Sequence, residues 1–420
     1  METIALRLYG KSDIRLESFE LPPIKDDELL VKIVCDSLCM SSYKAAVKGS
    51  DHKRVPADIA ENPTVIGHEF CGEIVEAGAA WQGRYEPGQR FVIQPAMDDT
   101  YDAIGYSFPH MGGNMTYGIV PAAVVSGGYF LPYGGEAFFA GALAEPLSCV
   151  TGAVHANYHT IKGKYVHIMG IKPGGKAAAL ASAGPMGLAL LDYLIHRDES
   201  PSLLVCTDID AGRLARAERI LAPEEAARHG VELVYVNTAE TEDPAAALRA
   251  LAGGDGFDDV FVFAPVAAVV EQGDAILAYD GCLNFFAGPE KEEFSAAFNF
   301  YDVHYNLTHI AGTSGGSTDD MVESLELASA GRTDPAILVT HVGGLDCAAE
   351  ATLNLPKAGG GKKLVYNHIS MPLTAIADFA ALGEEDPLFK GLAEAVEAHG
   401  GLWNAEAERY LLENGKGLAV

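Results

Sequence analysis

Four residues able to bind a metal or move a proton stand at wide intervals in the first third of the chain. They are Cys39 in SLCMSSYK, His68 and Glu69 in GHEFCGEIV, and Glu145 in ALAEPLSC. Taken singly, each has a structural reading that prevails: a lone thiol is usually a small buried apolar residue, and a lone imidazole a satisfied loop group. Taken together, one thiolate, one imidazole and carboxylates form a donor set suited to a catalytic zinc. Such a set leaves a coordination position for water or substrate.

A second constellation is contiguous. Ser182-Ala183-Gly184-Pro185-Met186-Gly187 follows an apolar run and opens an Ala/Leu-rich one. Gly184 lets backbone approach a pyrophosphate, and Gly187 allows close packing of helix on strand. The helix N-terminus turns its N–H groups and positive dipole end to the phosphates. Ser182 stands where the first glycine of GxGxxG is usual, which weakens the match, but the strand before and helix after supply the required context. Asp208 ends the next strand, where an acid meets the adenosine ribose 2′-OH. A carboxylate there repels a 2′-phosphate, so NAD(H) is expected over NADP(H). Arg213 tempers that preference, because a guanidinium can stack on adenine or accept the extra phosphate. Gly288 in CLNFFAGP and Thr313 in THIAGT, which close later strands of the series, are further cofactor-binding candidates.

A third set is basic in a chain that is not. The formal charge is −29, from 29 basic and 58 acidic residues. A field of that sign repels nucleic acid and anionic membrane surfaces, which excludes both as main partners and leaves a small-molecule substrate. It also opposes an anionic substrate unless a local cluster offsets it. His52, Lys53 and Arg54 follow Lys44 closely and form such a cluster. They are candidates for a phosphate dianion, against the alternative of an ordinary solvated loop.

The elements that must position these residues follow from length and pattern. At 420 residues, 49% of them hydrophobic and 21% charged, the chain is globular and long enough for two domains. The first 150 residues are β-rich, with ELLVKIVCDSLC, CGEIVEAG and QRFVIQPA as short strands. From about Lys176 strands alternate with helices: AAALA, GPMGLALLDYLIH, LLVCTD, AGRLARAERIL, ELVYVN, DDVFVFAP, CLNFFAGP and THIAGT, then the helix DDMVESLELASAG. That alternation calls for an α/β domain with a parallel, doubly wound sheet. GGGKKLVY reads as a late strand, and the stretch from about Pro372 as helical and acidic. No apolar run is long enough to span a bilayer, and the N-terminus lacks a secretory core, so a cytoplasmic protein is expected. The cysteines at 35, 39, 71, 149, 206, 282 and 347 include no CxxC pair and suggest no disulfide framework.

The order GHEFCGEIVEAG, upstream Cys39, AEPLSC, SAGPMG and TDIDAGRL resembles the zinc-dependent medium-chain dehydrogenases. VHYNLTHIAGTSGGSTDDM and GGGKKLVY also look like that family's, and the resemblance covers roughly residues 1 to 365. It implies a GroES-like catalytic domain over 1–158, a Rossmann dinucleotide-binding domain over 159–312, and a return to the catalytic domain with a helical extension over 313–420. It implies zinc held by Cys39, His68 and a glutamate. Glu69 and Glu145 both lie at the metal by this analogy, one ligating and the other holding or exchanging with the zinc-bound water. Ser41 falls at the family's relay hydroxyl, and Lys44 where some relatives carry a relay histidine. Many relatives hold a second, structural zinc with four cysteines between roughly residues 90 and 115. Here that stretch has none, so one zinc per chain is expected, with His110 a surface loop residue. SLCMSSYKAAVKGSDHKRVPADIAENPTVIGHEFCGEI and YVHIMGIKPGGK are similar to the branch of L-sorbose-1-phosphate reductases. That branch implies reduction of L-sorbose 1-phosphate to D-glucitol 6-phosphate by a homo-oligomer, dimer or tetramer. Free-polyol and threonine-type zinc dehydrogenases, and a non-catalytic dinucleotide-binding relative, are the alternatives.

Overall fold

The strand Leu29–Ser37, LLVKIVCDS, is buried at every position but Lys32. A run so apolar and β-branched belongs at the centre of a sheet covered on both faces. In the computed structural model, which describes residues 1–98 and 100–419, it is the hub of an eight-stranded sheet. Strands Phe70–Ala77, Tyr117–Val120 and Lys362–Tyr366 all pair with it antiparallel. Arg90–Ile93 and Phe130–Pro132 extend the sheet on one side, and Val339–Gly344 and Thr374–Ala375 on the other. Glu2–Gly10, Asp13–Glu20 and Thr64–Val65 form a separate three-stranded sheet. Two apolar clusters fill this part of the molecule, one around Ile33, Phe70 and Phe91, the other around Leu38, Ala45, Ile66 and Tyr106.

The second part is a six-stranded sheet with every neighbouring pair parallel, in the order Glu232–Asn237, Leu203–Asp208, Lys176–Leu180, Phe257–Val262, Leu277–Phe285, His309–Ala311. The order turns back at the first strand of the series, which is the doubly wound arrangement. Helices Pro185–His196 and Ala211–Ile220 follow the first two strands, as their sequence patterns require. A hairpin of Tyr158–Thr160 and His167–Met169 precedes the sheet, with Tyr158 stacked on His167 and on His309.

The chain thus forms two compact units, Met1–Glu145 with Val339–Val420, and Pro146–Leu338. These junctions fall earlier and later than residues 158 and 313, where the family resemblance puts them. The reason lies in side-chain pairing. His155 Nδ1 lies 2.7 Å from Asp320 Oδ1, and Thr151 Oγ1 3.1 Å from Ser324 Oγ, which ties helix Ala144–Ala156 to helix Thr318–Ser329. The amide of Asp334 donates to Asp192 on helix Pro185–His196, so the chain is held to the second unit up to the turn Pro335–Leu338. Beyond Pro372, helices Phe379–Leu382, Pro387–Glu397 and Ala405–Asn414 pack onto the first unit around the fully buried Trp403. Among the described residues, no helix is long and apolar enough to cross a membrane.

Candidate metal and cofactor sites

Cys39 leaves the end of the central strand and is the N-cap of helix Met40–Lys48. His68 and Glu69 immediately precede strand Phe70–Ala77. Gly67, at φ +94°, makes the turn that presents them; a Cβ there would stand 2.5 Å from Asn114 Nδ2 in a backbone conformation that L side chains rarely adopt. The result brings Cys39 Sγ, a ring nitrogen of His68 and a carboxylate oxygen of Glu69 within 4.8 Å of one another. His68 and Glu69 are buried and Cys39 partly so. Glu145 lies outside this trio but acts on it electrostatically, disfavouring the Cys39 thiolate. His110, expected on the surface, is half-buried against Phe19.

Electrostatics suit a cation. Burial, with the Glu69 charge added, pushes the Cys39 thiol up to about 12. Burial drives His68 down to about 4, so the imidazole is neutral and its lone pair is available. A soft thiolate, a neutral imidazole and a carboxylate at this spacing fit zinc, whose site uses S, N and O donors together. Lys362 was not singled out in the sequence, yet it is the main counter-charge: its Nζ lies 2.6 Å from both carboxylate oxygens of Glu69. Burial opposes the Lys362 charge, but Glu69, Cys39 and Glu145 outweigh it and hold the ammonium above its usual value. Burial likewise works against the Glu69 carboxylate, and the lysine more than compensates. The signal for Lys362 was there: KKLVY opens an otherwise apolar strand with two lysines, which a buried strand does not do without a partner.

Tyr106 was also missed. Its hydroxyl lies 3.2 Å from His68 Nδ1, and Ser42 Oγ lies 3.2 Å from the same atom. Tyr106 comes from the stretch that lacks the structural-zinc cysteines, and no local pattern marks it. On its other side it stacks on His52, with ring centroids 5.5 Å apart and planes 8° apart, and the Arg54 guanidinium stands 5.9 Å from its centroid. Burial, and then the charges of Lys48, Arg54, Lys53 and Lys44, push His52 down to about 4. The Arg54 amide donates to His52 Nδ1 at 3.3 Å. His52, Lys53, Arg54 and Lys44 therefore share one positive field, with His52 its neutral member. Ser41 accepts from the Cys39 thiol at 3.6 Å.

In the second unit, the residues expected around a dinucleotide all follow C-terminal ends of parallel strands. Gly184 is the N-cap of helix Pro185–His196, with Pro185 in its first turn and Met186 next. A Cβ on Gly184 would find nothing within 4 Å, whereas one on Gly187 would stand 1.8 Å from the Ser182 carbonyl oxygen. The first glycine leaves room before the helix end, and the second permits contact between helix and loop. Asp208 is buried, its Oδ1 accepting from the amides of Ile209 at 2.8 Å and Asp210 at 3.0 Å, its Oδ2 from Ala183 at 3.3 Å. That ties the acid to the phosphate-type loop. Arg213 is exposed, with Nε 3.9 Å from Asp210 Oδ2. Gly288 and Thr313 follow strands Leu277–Phe285 and His309–Ala311. These groups fit a dinucleotide.

A unit built on an eight-stranded, mostly antiparallel sheet with a Cys/His/Glu cluster, and a doubly wound unit with a glycine loop, define a class. Residues 25–145 match the alcohol dehydrogenase GroES-like domain, and residues 203–330 the zinc-binding dehydrogenase domain. The chain belongs to the zinc-binding dehydrogenases, oxidoreductases that work with zinc and a nicotinamide cofactor. Among its relatives, a mannitol-1-phosphate 5-dehydrogenase of Aliivibrio fischeri is 51% identical over 413 residues, 98% of each chain. An L-sorbose 1-phosphate reductase of Klebsiella pneumoniae is 49% identical over 412 residues, 98% of this chain and 97% of that one. The crystal structure of 2R,3R-butanediol dehydrogenase from Bacillus subtilis shares the fold, with a TM-score of 0.70 at 24% identity over 87% of this chain and 99% of that one.

Proposed function

We propose that the chain interconverts a ketose phosphate and a hexitol phosphate with NAD(H), reducing L-sorbose 1-phosphate to D-glucitol 6-phosphate. The observation that carries this reading is the positive field around His52, one aromatic ring away from His68 in a chain of net charge −29. Lys53 and Arg54 bind the phosphate dianion, and the neutral His52 donates from Nε2. The relative that reduces L-sorbose 1-phosphate supports the same substrate class. Cys39, His68 and a glutamate hold one zinc, with Glu69 restrained by Lys362 and Glu145 the second carboxylate. When bound, zinc supplies a Lewis acid for the substrate oxygen and the nicotinamide gives or takes the hydride. Ser41 holds the proton that leaves or joins the substrate hydroxyl, and Lys44 passes it toward solvent. Seven free cysteines accord with a reducing, cytoplasmic setting. We take the enzyme to be a homo-oligomer, as the exposed Phe300, Tyr301 and Tyr305 of one short helix suit a covered face.

The test compares L-sorbose 1-phosphate with L-sorbose in the wild type and in Lys53→Ala and Arg54→Ala. Losing one charged hydrogen bond costs about 1.5–3 kcal/mol, so each variant should lower kcat/KM for the phosphate ester about 10- to 100-fold. Activity on the free sugar should not change. Equal activity on both sugars, or an intact phosphate preference in both variants, refutes the phosphate site. A second reading, D-mannitol 1-phosphate oxidised at C5, is favoured by the 51% identical relative. There the ester stands four carbons from the reacting centre, whereas in L-sorbose 1-phosphate it stands on the adjacent carbon. A comparison of the two esters separates the readings.

Cofactor choice has its own test. Asp208 has three amide donors on two oxygens, and a carboxylate can accept more. It therefore retains capacity for a ribose hydroxyl. Asp208→Ala should relax discrimination toward NADP(H), read as the ratio of kcat/KM values for the two cofactors. A wild type that prefers NADPH overturns the assignment.

A further inference from the structure

The C-terminal helices supply one buried acid, Glu408, that nothing in the zinc chemistry uses. It lies on helix Ala405–Asn414 and is 3% exposed. Its Oε2 accepts the amide of Phe138 at 2.6 Å, and its Oε1 the amide of Phe139 at 2.8 Å. Those are the first two N–H groups of the short helix Phe138–Ala142, from which the chain runs directly into helix Ala144–Ala156 and Glu145. Oε1 also accepts the Tyr366 hydroxyl at 2.8 Å, and the Tyr366 oxygen accepts from Trp403 Nε1 at 2.8 Å. Tyr366 ends the strand that begins with Lys362, the partner of Glu69.

One carboxylate thus grips two separate arms, and each arm carries a group that acts on the metal trio: Glu145, which acts on Cys39 electrostatically, on one, and Lys362, which bonds Glu69, on the other. We infer that Glu408 is a positioning residue for the zinc site, and that the C-terminal helices brace both arms through it. All of these groups belong to the first unit. Burial pushes the Glu408 carboxyl up to about 7 against the three donors that favour the anion. In Glu408→Gln, an amide nitrogen must face one of those donors. The glutamates and Lys362 should then lose registration with Cys39 and His68. Partners bonded directly to a metal ligand are worth 10–100-fold in metal affinity, and Glu408 acts on Lys362, such a partner of Glu69, through the strand that Tyr366 ends.

The inference rests on the zinc reading, and its test keeps the two apart. Zinc affinity is measured at pH 8 by chelator competition on the full chain, together with the visible spectrum of the cobalt-substituted protein. Glu408→Gln should weaken zinc at least tenfold and shift the cobalt spectrum. Tyr366→Phe, which releases only the strand arm, should shift the spectrum in part, and it carries the test if Glu408→Gln does not fold. Asn404→Ala removes the N-cap of the same helix, where Asn404 accepts from the amides of Glu406 and Ala407, and serves as a control for lost stability. It should leave affinity and spectrum within twofold of wild type. Wild-type affinity and spectrum in Glu408→Gln, or in Tyr366→Phe where only that variant folds, overturn the inference alone, as does an equal loss in Asn404→Ala. A wild type that takes up no zinc overturns the zinc reading, and this inference with it.

Discussion

Cys39→Ser and His68→Ala should each lower kcat/KM about 10³-fold or more while leaving circular dichroism nearly unchanged. The Lewis acid contributes several kcal/mol of charge stabilisation at the reacting oxygen, and every 1.36 kcal/mol is tenfold in rate. Folding should survive because neither side chain is a large member of the apolar clusters that fill the first unit. The wild type should carry one zinc per chain by elemental analysis, and both variants less. Two zincs per chain, or full activity in either variant, would sink the assignment.

Lys362→Met should be the most destabilising single change at the site. The Lys362–Glu69 pair is nearly excluded from solvent, with side chains 8% and 1% exposed. Removing one partner of a buried pair leaves an uncompensated charge, at about 3–5 kcal/mol. In zinc-stripped wild type, Glu69 sits below its usual value, so its share of stability is present above the ordinary carboxyl range and is lost as pH falls through the folded value. Without the lysine, burial dominates and Glu69 moves above its usual value. The variant should then be penalised most at neutral pH and recover relative to wild type as the carboxyl protonates. Thermal unfolding of stripped protein at pH 5 and pH 8 tests the sign, and Lys362→Met/Glu69→Gln should regain most of the loss. A coupling below about 0.5 kcal/mol in that cycle contradicts a working ion pair.

What was legible in the sequence was what is local. The run from Ser182 to Gly187 declares a strand, a turn and a helix within a few residues, and the structure has all three there. Period and composition were enough to locate all six parallel strands, because each is a short apolar run between breakers, the inner ones buried and the edge strands Glu232–Asn237 and His309–Ala311 less so. His68 and Glu69 are adjacent, and Cys39 was findable only as part of a donor set in the order that the family resemblance supplies. Lys362 meets Glu69 across 293 residues, and no window of sequence contains both. KKLVY marks the lysine but not its partner, whereas Tyr106 and Glu408 carry no mark at all: an ordinary tyrosine and an ordinary glutamate become special only when burial strips their water. Nor could sequence rank the glutamates, since what sets Glu69 apart is its place in the trio with Cys39 and His68 and its two-oxygen bond to Lys362, both made by the fold. Domain junctions also escaped, because helix Ala144–Ala156 reads the same whichever unit it leans on.

The pairing of Leu29–Ser37 with Lys362–Tyr366 has a consequence for how the protein is made. A ribosome adding about 5–20 residues per second needs about 15–60 s to cover the separation between Glu69 and Lys362. Throughout that interval Tyr117–Val120 covers only Leu29–Lys32 on one edge of the hub strand, the Cys35–Ser37 end of that edge stays unsatisfied, and Glu69 has no cation. The second unit is one uninterrupted stretch, Pro146–Leu338, and can close its sheet during the wait. The N-terminal half of the first unit is therefore the last to mature although it is the first to emerge. During that time its open edge, rather than any exposed surface of the finished enzyme, is where a chaperone or a neighbouring nascent chain would meet it.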